Sequence, residues 1–111
     1  MAVSSEYAEY IFEKLEVCIP QVEKNRFFGG IGFKSNNLQF GMIMKNILYL
    51  CVDNESRAEY KQKNSIPFSY MTKKGRIFVE KYYTLPDDIL ENQELFCQWC
   101  ERALHAAAKK K

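Results

Sequence analysis

Histidine is nearly missing from this chain: His105 is the one copy in 111 residues. A Ser-His-Asp arrangement would have to be built on it, just ahead of the closing lysines, where a base is not held to geometry. Long apolar runs are missing too. No stretch approaches the ~18–20 apolar residues of a membrane-spanning helix. The first residues hold neither the basic nor the apolar segment of a secretory signal. These absences lead to the expectation of a cytoplasmic protein with no membrane partner and with its four cysteines reduced. Charge of one sign is also scarce. Sixteen basic against fourteen acidic side chains give +2, and without Lys109, Lys110 and Lys111 the body stands at −1. Binding to a phosphate backbone normally calls for a basic face, so weak or no direct nucleic-acid binding is expected. Repeats, low-complexity stretches and linkers are absent. The length fits a single domain over residues 1–111, with 109–111 as a basic tail.

What the chain does have is an aromatic, glycine-bearing centre. Eight Phe, seven Tyr and one Trp make it unusually aromatic. The run Phe27-Phe28-Gly29-Gly30-Ile31-Gly32-Phe33 would be a poor helix, since each glycine costs about 1 kcal/mol there. A strand tolerates glycine where it bends or where another backbone comes close. The run therefore reads as a first strand, about Arg26 to Lys34, with a bulged start, and the polar residues 21–26 read as a connection. Gly29 or Gly30 is expected at positive φ or hard against another backbone.

The remaining elements follow from periodicity and turn chemistry. Ala8, Ile11, Leu15 and Cys18 recur at helical spacing over residues 4–18, with Ser4 or Ser5 as cap and Pro20 as stop. Ser35-Asn36-Asn37 turns the chain into a second strand, Leu38 to Met44. Its alternation puts Leu38, Phe40, Met42 and Met44 on one face. Lys45-Asn46 suits a tight hairpin leading to Ile47–Val52. Asp53 or Asn54 caps a short helix, and two strands follow, Phe68–Thr72 and Arg76–Tyr83. A short turn of helix starts near Pro86, and a last helix after Asn92 is apolar along Leu95, Phe96, Trp99, Ala103, Ala106 and Ala107. The order α-β-β-β-α-β-β-α predicts a two-layer α+β fold on a five-stranded antiparallel sheet. Its core should join Ile11 and Leu15 to Phe40, Leu48, Leu50 and Trp99.

Three features invite a chemical reading. Cys97-Gln98-Trp99-Cys100 is a CxxC inside a helix, unlike the redox pairs that open a helix after a strand. Buried structural thiols, a redox-sensitive pair and a metal pinch are the alternatives, and a zinc site would want about four ligands. The glycine run lacks the lysine and serine of a phosphate-binding loop. Lys81-Tyr82-Tyr83 and Tyr70 place aromatics beside cations on the last two strands, where base stacking, cross-strand pairing and a protein-binding edge all fit. Lys73, Lys74, Arg76 and Lys81 cluster around the turn and the fifth strand, interrupted by Glu80, and either touch phosphates or keep the hairpin soluble. Tyr70, Lys73, Lys74, Arg76 and Lys81 are the candidate interaction residues. No catalytic residue, metal or cofactor is expected, so the chain reads as a non-enzyme.

Taken in order, Phe28, Gly29, Gly30, Gly32 and Phe33, then Phe40, then Leu48, Tyr49 and Leu50, then Pro67 and Phe68, then Tyr82, Tyr83 and Pro86 resemble the amino-terminal domain of the TfoX/Sxy family, bacterial regulators of natural competence. The resemblance runs from about residue 7 to residue 108. It implies a fold like that of type III secretion chaperones. It also implies a non-enzymatic role in transcription, as a co-activator working with a cyclic-AMP receptor-type factor. A homodimeric, chaperone-like binding module with no DNA-related role is the alternative. Gly41 stands where the family often has alanine, and Cys51 where it often has a basic residue. If that basic side chain contacts a partner, the contact is lost here.

Overall fold

The computed structural model describes residues 5–27 and 29–109. The roles given to Ser4, to the side chain of Ser5, to Phe28 and to Lys110 and Lys111 lie outside the described residues. Helix α1 spans Ser5–Cys18. It buries Ala8, Ile11 and Leu15 along one stripe, with Tyr7, Phe12 and Cys18 half-buried beside it. Ile19 closes it by donating to the Leu15 carbonyl at 2.8 Å, and Pro20 follows, unable to continue the ladder.

The segment expected as one strand is two. β1 is Glu23–Phe27 and β2 is Gly30–Ser35, paired antiparallel with Phe27 opposite Gly30. The sheet therefore has six strands, not five, and the order is α-β-β-β-β-α-β-β-α-α. Two physical reasons explain the difference. β1 is an edge strand whose residues Glu23, Lys24, Asn25 and Arg26 are all exposed, so it carries no apolar alternation. And Gly29 at φ +83° makes a tight turn where a bulge was expected.

β3 (Leu38–Met44) and β4 (Ile47–Cys51) complete a meander. Asn36 and Asn37, then Lys45 and Asn46, all take positive φ in two-residue hairpin turns. The alternation expected in β3 holds from Gly41 onward. At Phe40 the ladder carries an extra residue, with Gln39 opposite Lys34 and Gly41 opposite Phe33. Helix α2 (Asn54–Gln62) starts at a capping box. The Asp53 carboxylate accepts from the Ser56 amide at 2.8 Å, and the Ser56 hydroxyl accepts from the Asp53 amide at 3.0 Å. β5 (Pro67–Thr72) and β6 (Gly75–Thr84) follow, turned by Gly75 at φ +123°. α3 (Asp87–Leu90) and α4 (Gln93–Lys109) end the fold.

All ladders are antiparallel, in the order β1-β2-β3-β4-β6-β5. α4 lies across β3 and β4, α1 and α3 pack on α4, and α2 touches β6. The helices are thus on one face, giving a two-layer α+β domain. The Phe12 ring of α1 stacks on Phe33 at 6.4 Å, and Tyr60 of α2 meets Tyr83 at 6.2 Å. Ile11, Leu15, Phe40, Leu48, Leu50 and Trp99 share one buried cluster, as the sequence leads one to expect, and Phe96 joins them.

Candidate interaction surface

No described helix packs on the opposite face of the sheet. Phe33, Gly41, Leu50 and Tyr83 are neighbours across the ladder on the helix-covered side. Their alternates Gly32, Met42, Tyr49 and Thr84 are therefore on the open side, together with Met44 and Ile47. Gly30 and Gly32 keep this floor low at the β1 end. A Cβ on Gly30 would overlap the Ile43 carbonyl oxygen, and one on Gly32 would come 3.3 Å from the Phe27 Cβ and 2.9 Å from the Gln39 Oε1. Both halves of the glycine expectation are met, since Gly29 has the positive φ and Gly30 the close approach.

A groove of about 520 Å³ runs over this face. Phe27 of β1, Met42 and Met44 of β3, and Phe68, Tyr70, Val79 and Tyr82 of the β5–β6 hairpin line it. That hairpin reaches past the rest of the sheet. Only Tyr82, Tyr83 and Thr84 of β6 pair with β4, while Arg76 to Val79 pair with β5 alone. The ladder also jumps, from Tyr83 opposite Pro67 to Val79 opposite Phe68. Simple alternation along Arg76–Tyr83 sets Ile77, Val79 and Lys81 against Phe78, Glu80 and Tyr82, but the jump breaks it, so Val79 and Tyr82 both reach the groove. The projecting arm is apolar on each side. Tyr70 faces Ile77 across the ladder, and Met71 and Phe78 lie on the alternate positions. These four are 43–65 % exposed. A two-stranded ribbon alone is marginally stable in water, and contiguous exposed apolar area of this kind marks contact surfaces.

The five candidate residues are on or around the arm. Tyr70 forms a groove wall, its ring 6.2 Å from Phe68. Lys73 and Lys74 make the turn. Arg76 donates to the Ser69 hydroxyl at 2.8 Å, and the Lys81 ammonium sits 5.7 Å from the Tyr82 ring. The ion pairs among the described residues are elsewhere: Lys24–Glu9, Arg57–Glu80, Lys63–Asp88, Arg102–Glu59 and Lys109–Asp53. Glu80, which interrupts the basic stretch in sequence, is turned away to Arg57 and to the Tyr83 hydroxyl, 2.6 Å off. Lys109 is the last residue of α4, and its ammonium reaches the Asp53 carboxylate at 3.2 Å.

The adjacent tyrosines divide between the layers. Tyr82 faces the groove and donates to the Gln39 carbonyl at 3.4 Å, while Tyr83 packs on α2. Burial pushes both phenols up to about 12, and for Tyr83 the bonded Glu80 carboxylate adds to the shift. Neither ionises near neutral pH. Gly29, Gly30, Gly32, Phe33, Phe40, Leu48, Leu50 and Pro86 shape the turns and the core, whereas Tyr49 and Phe68 support the groove floor. Sequence reasoning passed over Phe27, Met42, Met44 and Val79 as groove-lining residues. The even positions of β3 carried the signal for the two methionines.

Three of the four thiols gather between α1 and α4, and Cys51 is buried in β4. Cys18 lies against Cys97, which accepts from the Gln93 amide at 3.3 Å, and Cys100 is buried one turn further on. Burial and then the neighbouring Cys97 push Cys18 up to about 12, and burial raises Cys100. Protonated thiols are poor nucleophiles. Among the described residues no group of three or more His, Cys, Asp or Glu is arranged to hold a metal. His105 is exposed and borders a polar hollow with Glu101, Arg102 and Asp53. The Asp53 carboxyl is lowered to about 2, first by the Ser56 amide and further by Lys109, so helix capping accounts for it. No described helix is long and apolar enough to cross a membrane.

The family description TfoX N-terminal domain matches residues 13–107, all but the two ends of the chain. No curated protein matches it.

Proposed function

We propose that this chain, which belongs to the TfoX N-terminal domain family, is a regulatory domain that works by binding another protein through the open face of its sheet. On this reading it is a non-catalytic domain of that family. One observation carries the choice of surface: the helices cover one face, while the other holds an apolar groove and an arm with exposed Tyr70, Met71, Ile77 and Phe78. Adaptable methionines on the floor and aromatics on the walls are the composition of protein contact surfaces. By family resemblance the partner is a cyclic-AMP receptor-type transcription factor, and the setting is competence gene control in the bacterial cytoplasm. DNA is then reached through that factor.

The test uses fluorescence anisotropy on a promoter duplex with the receptor-type factor bound, adding the whole chain or a variant carrying Tyr70→Ser and Ile77→Ser. Both side chains are exposed, so the variant is expected to keep the fold, which circular dichroism checks. The expected result is a larger complex with the parent chain and at least ~10-fold weaker assembly with the variant. Sub-micromolar binding to the duplex without the factor, or no loss in the variant, would overturn the reading. The alternative, a homodimeric chaperone-like module, draws on the same apolar face. It predicts a two-chain mass by light scattering that the variant abolishes.

A further inference from the structure

Charge on the surface of this domain is sorted. All five ion pairs among the described residues lie away from the groove and the tip of the arm, and each takes up a basic side chain. The lysines in the turns that flank the groove take part in none of these pairs. Lys45 sits in the turn between Met44 and Ile47, and Lys73 and Lys74 sit at the tip of the arm. Arg76, opposite Met71 on the other face of the arm, bonds a neutral hydroxyl, and Lys81 borders a separate hollow with Cys51 and Ala107. The carboxylate nearest in sequence to the groove-lining Val79 and Tyr82 is that of Glu80, which Arg57 and Tyr83 engage. Three lysines in two turns thus flank an apolar groove, and none of them joins an ion pair among the described residues.

We infer that the groove takes a segment of a partner protein that presents aliphatic side chains between acidic residues. This rests on the reading of the open face as the contact surface and adds the chemistry of what it contacts. The lining decides for peptide over nucleic acid. Two methionines and a valine sit among the four rings Phe27, Phe68, Tyr70 and Tyr82, which suits aliphatic side chains, while lysines confined to two turns fall short of the backbone-tracking charged groove that single-strand binders rely on. The charge decides against a second copy placed face to face. A two-fold contact would bring Lys45, Lys73 and Lys74 of both chains to one rim, and like charges facing each other oppose association. The chain has an acidic apolar surface of its own, Glu6, Glu9, Tyr10 and Glu13 on α1. It would meet the groove of another copy head to tail, a contact that grows into rings or filaments. The charged edge strand β1 also blocks strand addition there. An acid-flanked aliphatic segment satisfies floor and rim together, with the rim speeding encounter and selecting the partner.

The experiment titrates the whole chain with a short labelled peptide of alternating leucine and isoleucine flanked by glutamates, the same peptide flanked by lysines, and an oligothymidine. Anisotropy is read at ~50 mM and ~0.5 M salt. The expected result is binding of the acid-flanked peptide at least ~10-fold tighter than the lysine-flanked one at low salt, narrowing at high salt as the rim is screened. The exposed double variant Lys73→Glu, Lys74→Glu should reverse the order of the two peptides, and Tyr70→Ser should weaken both. Equal binding of the two peptides, tighter binding of oligothymidine, or concentration-dependent growth in sedimentation velocity would each overturn the inference. If the peptides bind equally but Tyr70→Ser still weakens both, the charge argument has failed and the contact face stands. If neither peptide binding nor partner assembly responds to Tyr70→Ser, the contact face has failed too.

Discussion

The rings of Tyr49 and Phe68 meet edge to face, their centroids 5.3 Å apart and their planes at 82°. Tyr49 is in the central strand β4 and Phe68 at the root of the arm, so this contact ties the projecting hairpin to the sheet. Aromatic pairs of this geometry are worth about 0.5–1.5 kcal/mol beyond their buried area. Phe68→Ala should therefore cost about 2–3 kcal/mol in a denaturant melt. It should also speed amide exchange in β5 more than in β3. Equal acceleration throughout the sheet would mean that the arm is not a separately opening unit.

Gly29 and Gly30 separate two kinds of glycine requirement. A Cβ on Gly29 meets nothing within 4 Å, so Gly29→Ala costs only the positive-φ strain, about 1–2 kcal/mol. A Cβ on Gly30 runs into the Ile43 backbone, which cannot move without parting β2 from β3. Gly30→Ala should cost more than ~3 kcal/mol, at the diagnostic end of single substitutions. The reverse ranking of the two variants would refute the turn and the close approach alike.

Under α4 the expectation concerns a hydroxyl. Tyr60 is almost fully buried, 4.7 Å from the Trp99 ring, and its hydroxyl has no protein hydrogen-bond partner among the described residues. Removing an unpaired buried hydroxyl relieves a desolvation cost, so Tyr60→Phe should leave stability unchanged or raise it by about 1 kcal/mol. Trp99→Ala should instead cost about 3–5 kcal/mol through the cavity it leaves. Chemical denaturation of both variants checks the pair, and a loss above ~1 kcal/mol for Tyr60→Phe would show that the hydroxyl is bonded.

Acid stability should carry the mark of Asp53. Its folded pKa, about 2, lies below the ordinary 3.8. The stabilisation it gives is full above pH ~4 and is lost as pH falls through ~2, because the unfolded state takes up the proton first. Asp53→Ala should cost about 1 kcal/mol at neutral pH through the lost cap. That difference should shrink between pH ~4 and ~2. A pH-independent difference would mean that the carboxylate charge plays no part.

The fold was legible in the sequence wherever apolar periodicity or turn chemistry was strong. α1 and α4 follow their stripes, Lys45-Asn46 makes the hairpin, and Asp53 makes the cap. β1 was not legible, because an exposed edge strand of Glu23, Lys24, Asn25 and Arg26 looks like a loop and its turn hides in a glycine run. The site was half legible. Tyr70 and the basic residues stood out as a cluster of aromatics and cations. Phe27 did not, because only the curl of the sheet brings β1 to the same groove as the arm. Tyr82 and Val79 looked like opposite faces until the ladder jump put both in one wall.

Amide hydrogen exchange of the whole chain, with and without the cyclic-AMP receptor-type factor, tests most directly whether the open face is the contact. The account predicts slowed exchange confined to the Lys45–Leu48 turn, the Tyr70–Val79 arm and the neighbouring groove strands, with α1 and α4 unchanged. Slowing on α1 and α4 with an unaltered arm, or no change at all, would contradict it.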